Sequence, residues 1–544
     1  MRARGRDLQD VVLVEELDAP LDAVGDPNDP EALSTGGAYG PSPARRGLTW
    51  LFRTRAAWSP IAFGLAIVVG TSYLSIAQQE RERMAALADL PGILRPLDGP
   101  VTELWRMGAD TDAMFINGLT GFGGRLLLTE NSMGGKVDVV ALDARTGVEY
   151  WRVQAAQDVP ADASGASTFR GGANCVFPTS ERAEQATVVA CVVTDETISV
   201  PSDNDMVGEM IVGTRAHLLV IDATTGAVVS QAPTDPTSSV ALVGGDLITG
   251  QFAADGRVQV TRSGARDGTL GWTFTSPDPV SSDASGQRSV WVWASEGYIG
   301  VTSQAAIGDG GRAQGGSSWL LSPDGAVVRT HVAGLGDEYN SLGLLRGGSM
   351  FVESTTTATG TRASVLTDAA TGRTVTVEAT PTGARPDDGS LGDAILMQSE
   401  TGSALLAYDL TTKQPRWTGT TSVDGGGFPM VLDGRVVRSG FTGSGSDNSM
   451  SVDITSVHAR TGETLWSTSV KSNQGGSLIT DGRLVLVSGS ESTAGPGAVI
   501  TAFDLVDGQR RWEVPIDEEQ WLVEVDGRLF GSTGMGLIVA YGEP

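Results

Sequence analysis

Asp143, Thr146 and Trp151 stand at fixed offsets in the stretch Ala141–Trp151, ALDARTGVEYW. An acid, a hydroxyl and an indole this close could build a catalytic site, a cofactor site or a piece of architecture. Few other residues compete for chemistry. A hydrolytic triad needs a histidine beside a nucleophile and an acid, and the only histidines, His217, His331 and His458, sit in unlike contexts. The two cysteines, Cys175 and Cys191, lie 16 positions apart, without the CxxC spacing and further ligands that zinc requires. An oxidising compartment would let them pair, and two separate buried thiols are the alternative. In DNDMVGE, Asp203, Asp205 and Glu209 surround a glycine and could offer oxygen to calcium. The full twelve-residue loop pattern is missing, so the stretch reads as a solvated acidic loop. Asp110 and Asp112 are weaker candidates of the same kind. No catalytic, cofactor-binding or metal residue is assigned.

Repetition decides what the opening motif is for. The pattern of an apolar run, Asp, two residues, Thr-Gly, three residues and Trp returns seven more times with variation. Asp222 and Gly226 keep it with Ser230 in place of Trp, and Gly268 and Trp272 keep it without the acid. The turn is shortened around Asp324 and Gly325, and Asp368, Thr371 and Gly372 follow. Asp409 and Trp417 have Lys413 at the glycine position; Gly462 and Trp466 have His458 at the acid position; Asp504, Gly508 and Trp512 complete the series. Successive units end at 151, 230, 272, 329, 376, 417, 466 and 512, mostly 40 to 50 residues apart, the length of one four-stranded propeller blade. The 79-residue gap holds both cysteines and marks an insertion around 155–215. Gly-containing turns in GGRLLLT, ADGRVQV, DGRVVRSG, DGRLVLVSG and DGRLFGS read as hairpins inside blades.

The two ends of this region complement each other. VTELWRMG, with Trp105, resembles only the strand after the turn, and GLIVAYGEP only the strand before it. Strands from both ends would close the ring and remove exposed edges. The reading is an all-β propeller over 99–544. Counting the closing unit gives nine candidates, one more than the eight blades usual for such a ring; eight is the expectation, with seven or nine as alternatives. A catalytic residue is not needed six times, whereas a wedge between blades is. Trp105, Trp151, Trp272, Trp417, Trp466 and Trp512 are therefore read as blade-docking residues. Asp143, Gly147, Asp222, Gly226, Asp409, Gly462, Asp504 and Gly508 shape the turns they meet.

Composition limits the partners. Asp and Glu outnumber Lys and Arg by 65 to 38, for a net charge of −27. No basic stripe suits a polyanion, so nucleic acid is excluded. Residues 1–55 have the composition of a disordered acidic tail. Its apolar patch VVLVEELD reads either as an accidental run or as a recognition segment that adds a strand to a partner or folds against it. Residues 56–79 carry no charge, and WSPIAFGLAIVVGTSYLSIA is long enough for a helix of roughly 30 Å to cross a bilayer. Arg45, Arg46, Arg53 and Arg55 precede it, which keeps the N-terminus cytoplasmic and the propeller outside. A cleaved signal peptide, with small residues at Ser75–Ala77, is the alternative. Residues 80–98 read as a helical stalk ended by Pro91 and Pro96.

The repeated Asp-x-x-Thr-Gly-x-x-x-Trp resembles the repeat of the quinoprotein (pyrroloquinoline quinone, PQQ) β-propeller superfamily. That resemblance implies tryptophans docking neighbouring blades. The superfamily includes PQQ-dependent alcohol dehydrogenases and non-enzymatic scaffolds such as the lipoprotein of the outer-membrane β-barrel assembly machinery. The dehydrogenases hold PQQ against a disulfide of adjacent cysteines beside calcium and a catalytic Asp; Cys175 and Cys191 depart from that pattern. The expectation is a membrane-anchored extracytoplasmic scaffold that binds another protein or an envelope component and holds no cofactor. A PQQ-dependent oxidoreductase using the central funnel is the alternative.

Overall fold

Apolar runs broken by Gly-containing turns can satisfy their backbone only by pairing with their neighbours, and here they do so as antiparallel hairpins joined into sheets. In a computed structural model of the chain, the described residues are 75, 78–88 and 90–543, apart from 108–112, 133–134, 157–166, 179–186, 201–208, 212–214, 281–287, 296, 306, 309–311, 314–315, 333–341, 346–347, 357–360, 400–401, 403, 421–427, 445–449, 473–476, 493–494 and 534–535. They form a nine-bladed propeller. Blades 1 to 8 span 113–156, 167–234, 239–279, 288–332, 342–377, 379–420, 430–472 and 479–516. Blade 9 takes three strands from 521–542 and its fourth, Thr102–Met107, from the start of the domain. The count of eight is corrected to nine: the units with no Trp also form complete blades, because an inter-blade joint can be built from other residues.

Strands within a blade run alternately, so the connections divide between two ends of the ring. First-to-second and third-to-fourth turns share one end, called the turn end here. Second-to-third and fourth-to-first connections share the other, the loop end. All five Gly-containing hairpins named above join consecutive strands within a blade, and four of them join first to second. Both faces of each blade are covered by neighbours. Val137–Asp143, the third strand of blade 1, is accordingly buried at six consecutive positions.

Blade 2 carries the insertion. Its second strand, Val188–Val200, runs 13 residues, and an added strand, Glu209–Ile211, pairs with it. Blade 4 has a smaller addition between its second and third strands, where Ile307–Gly308 pairs with Arg312–Ala313. Both additions lie at the loop end.

Residues 56–74, 76 and 77, most of the apolar segment, lie outside the described residues, as does the tail 1–55. Among the described residues no helix is long and apolar enough to cross a membrane. The segment read as a stalk is helical over 78–88, and residues 79–98 belong to the same compact unit as the propeller. Leu87 and Ile93 are buried against Leu432, Val485 and Phe503 between blades 7 and 8. The Leu94 and Arg95 amides then donate to the carbonyls of Thr480 and Gly527, and the Leu97 amide donates to buried Asp481 Oδ2 at 2.9 Å. All of these contacts are at the turn end.

Candidate functional site: the blade joints and the loop end

The Asp-x-x-Thr-Gly turn is a self-contained cap. In blade 1, Asp143 Oδ1 accepts the Arg145 and Thr146 amides and the Thr146 hydroxyl at 2.9–3.0 Å. Its Oδ2 accepts the Tyr150 hydroxyl at 2.8 Å. Asp222 and Asp368 repeat the three bonds to Oδ1. Such donors favour the ionised carboxylate. Tyr150 above all, with the turn amides, lowers the Asp143 carboxyl below its ordinary range. The Thr412 amide and the Arg416 guanidinium bring Asp409 down to about 2. His458 serves as a weaker cap, its Nδ1 accepting the Arg460 and Thr461 amides at 3.3 Å.

Each turn glycine adopts a left-handed backbone, with φ of 69° at Gly147 and 72° at Gly226. At five of the turns the space above it is taken by an indole of the preceding blade. A Cβ on Gly226 would lie 2.7 Å from the Trp151 ring. The same relation holds for Gly147 under Trp105, Gly325 under Trp272, Gly462 under Trp417 and Gly508 under Trp466, at 2.6–2.7 Å. Each of these indoles donates to the carbonyl of the residue after the turn's acid position: Trp105 to Ala144 at 3.4 Å, Trp151 to Ala223 at 3.3 Å, Trp272 to Pro323 at 2.9 Å, Trp417 to Ala459 at 2.8 Å and Trp466 to Leu505 at 3.0 Å. Glycine is required twice over, for the backbone conformation and for the absent Cβ.

Trp512 departs from this set. Blade 9 has no third-to-fourth turn, because those two strands come from opposite ends of the domain, and the Trp512 Nε1 is buried with no acceptor. The segment that includes Leu94, Leu97 and Val101 packs in the same cluster instead.

Three joints have no Trp, and sequence reading missed what replaces it. Between blades 4 and 5, Arg329 at the Trp position pairs with Glu353, donates to the Thr367 hydroxyl at 2.9 Å and lies over the Phe351 ring at 5.5 Å. Between blades 2 and 3, where Ser230 stands at that position, Arg266 reaches back to pair with Asp222 and to bond the Thr187 hydroxyl. Between blades 5 and 6, Thr376 holds the position and the apolar side chains Val352, Leu366, Ile395 and Met397 fill the gap. An arginine standing where the repeat has Trp was the available signal at 329. The Arg266 joint had none.

Cys175 and Cys191 face each other across the first two strands of blade 2 and form a disulfide. They bridge neighbouring strands, unlike the adjacent cysteines of the dehydrogenases that the repeat resembles. Asp203, Asp205, Asp110 and Asp112 lie outside the described residues, and so does the side chain of Glu209. Among the described residues no three His, Cys, Asp or Glu side chains come close enough to hold a metal ion. His331 stands 3.8 Å from Glu353 in the joint between blades 4 and 5, and the three histidines stay apart, in blades 2, 4 and 7. The described residues thus do not supply the cysteine pair or the cation ligands that PQQ has in those dehydrogenases.

Residues 361–540 match a family model described as outer membrane protein assembly factor BamB, a range that takes in the two outer strands of blade 5, blades 6 to 8 and the three C-terminal strands of blade 9. No curated protein matches the sequence. Among solved structures, the chain is similar to a europium-containing methanol dehydrogenase, at 11% identity and a TM-score of 0.40, covering 83% of this chain and 96% of that one. It is also similar to the Dos1 propeller, at 10% identity and a TM-score of 0.39 over 81% and 95% of the two chains. The WD40 domain of SCAP from fission yeast follows at 8% identity and a TM-score of 0.37, over 81% and 97%.

Proposed function

We propose that the protein is a single-pass membrane protein whose propeller lies outside the cytoplasm and serves as a non-enzymatic platform, binding another protein or an envelope component at its loop end. One observation supports the choice of the loop end: what does not repeat is gathered mostly at one end of the ring. The added strand of blade 2, the added hairpin of blade 4 and most connections longer than five residues are there. At the turn end only 177–187 and 382–393 are long, and the latter lies along the first strand of blade 7 through backbone bonds to Pro429 and Val431. Residues 79–98 meet the propeller at the turn end. A rigid ring with variable connections on one side is suited to recognition, and the repeated motif is fully occupied in holding blades together.

Photo-crosslinking in intact cells tests the proposal. A photoreactive residue at Thr237 or Glu518, both at the loop end, should capture a discrete partner, and one at Val148 or Leu270, at the turn end, should not. Equal capture from both ends, or none from the loop end, would sink it. The oxidoreductase reading has a separate test: supplying the full chain with PQQ and calcium should leave its absorption spectrum and its alcohol oxidation at background.

A further inference from the structure

The docked segment limits which end of the ring can approach a bilayer. Arg83 donates to the Gly482 carbonyl at 3.2 Å, and Leu87 fills the space over Gly482, where a Cβ would lie 2.7 Å from the leucine Cδ1. Gly482 belongs to the first-to-second turn of blade 8, at the turn end. Six positions separate Arg83 from Ala77, the last residue of the apolar stretch, and even fully extended they reach only about 20 Å. The second strand of blade 8, Leu484–Ser492, starts beside Gly482, and its 9 residues run roughly 27 Å towards the loop end. While Arg83 and Leu87 stay docked, a bilayer that holds Ala77 is within reach of the turn end and out of reach of the loop end.

The turn end presents a face of matching chemistry, and all eight of its third-to-fourth turns are described. Large apolar side chains stand in or just after six of them: Val148, Val228, Leu270, Val327, Leu465 and Val506, each 42–63% exposed. Single exposed valines are ordinary on any protein surface. Here they recur at one place of the repeat, and equivalent positions of a closed ring lie at nearly one height along its axis, so the six form a flat apolar rim. Exposed cations share these turns, among them Arg145, Lys413 and Arg460. The eight turns hold five basic and four acidic residues in a chain that carries −27. Apolar side chains beside Arg and Lys suit a headgroup layer, the former reaching the acyl boundary and the latter the phosphates.

Resting on the membrane-anchored reading above, we infer that the turn end faces the bilayer and seats this rim on its phosphate-bearing headgroups. The lipid surface is then a partner of the ring in its own right, at the end opposite to the one proposed for protein. Leu465 and Val506 lie nearest the tether, since they belong to blades 7 and 8, on which the segment docks. The acidic chain as a whole gains nothing from long-range attraction to anionic lipid. The contact is made by the rim itself, at short range.

Depth-dependent quenching tests the inference. Cys175 and Cys191 are joined, so one added cysteine accepts one environment-sensitive dye. The full chain is placed in phosphatidylcholine vesicles doped with a lipid that carries a nitroxide on its headgroup. Dye at Val148→Cys or Val506→Cys should be quenched at least about twofold more than dye at Thr237→Cys, at the loop end, and its emission should shift to the blue. Adding V228S/L270S/V327S to the Val148→Cys protein should reduce its quenching by about half, with matched melting curves to show that every variant is folded. Equal quenching at the two ends, or more at Thr237→Cys, would overturn the inference, and unchanged quenching in the serine variant would remove the rim from it. In either case flotation of the chain with the vesicles would leave the membrane-anchored reading in place. Failure to float would sink that reading and the inference with it.

Discussion

Gly226 and Gly372 occupy the same place in two turns, with φ of 72° and 67°, yet only Gly226 lies under an indole. A Cβ on Gly372 meets nothing within 4 Å, because Arg329 stands where the Trp would be. Gly372→Ala should therefore cost only the left-handed backbone penalty, about 1 kcal/mol, whereas Gly226→Ala adds overpacking against Trp151 for about 2–4 kcal/mol in total. Denaturant midpoints of the two variants decide this, and equal losses would contradict the joint at Trp151. His458 invites the opposite change. Its Nδ1 accepts two long bonds where Asp143 Oδ1 accepts three shorter ones. His458→Asp should raise stability by about 1 kcal/mol at pH 7, seen as a higher melting temperature. Residue roles of this kind were largely legible, since a motif repeated at constant spacing names its own turn and its own wedge. Arg329 and Arg266 were not, because an arginine has no identifying pattern until its carboxylate partner is brought beside it by another blade.

At the scale of elements, the joint between blades 8 and 9 is built unlike the rest. Its Trp512 meets no turn, and buried Leu94 and Val101 pack with Leu522, Leu529 and Val539 on that side. The segment 79–98 is thus part of the ring closure as well as its lead-in. A chain beginning at residue 99 loses the burial of Leu87, Ile93 and Leu94, on the order of 5 kcal/mol, and should unfold at lower denaturant than one beginning at residue 79, or fail to purify as a monomer. Equal midpoints would show that the docked segment contributes nothing. Sequence reading placed a helix after the apolar segment and ended it at the prolines, and the helix spans 78–88. What it could not supply was the surface beneath. Leu87 and Ile93 look like any apolar residues of a stalk until Leu432, Val485 and Phe503, about 340 to 415 positions away, form the groove they fill.

For the whole molecule, the turn carboxylates act together. Asp143, Asp368 and Asp409 all have pKa values lowered by hydrogen bonds made only in the folded state. A lowered folded-state value stabilises the native state above the ordinary carboxylate range, and that contribution is lost as pH falls through the folded value. Melting temperature should therefore change little between about pH 7 and 5 and fall cumulatively from about pH 4 towards pH 2. A flat profile down to pH 2 would show that the caps do not contribute.

Sequence alone determined the strand-and-turn grammar, the length of the repeat and the closing of the ring by both ends, because each follows from local pattern: apolar runs, glycines that must turn, and half-blades that complete one another. Nine units were visible in it, and the expectation of eight, taken from the number usual for such a ring, failed because the degenerate units without tryptophan also form complete blades. Only the tertiary structure decided that those blades are joined by an arginine pair, a reaching arginine and aliphatic packing, since an inter-blade contact depends on side chains 40 or more positions apart meeting in space. It decided also which connections share an end of the ring: strand direction alternates with pairing, and pairing is a property of the fold.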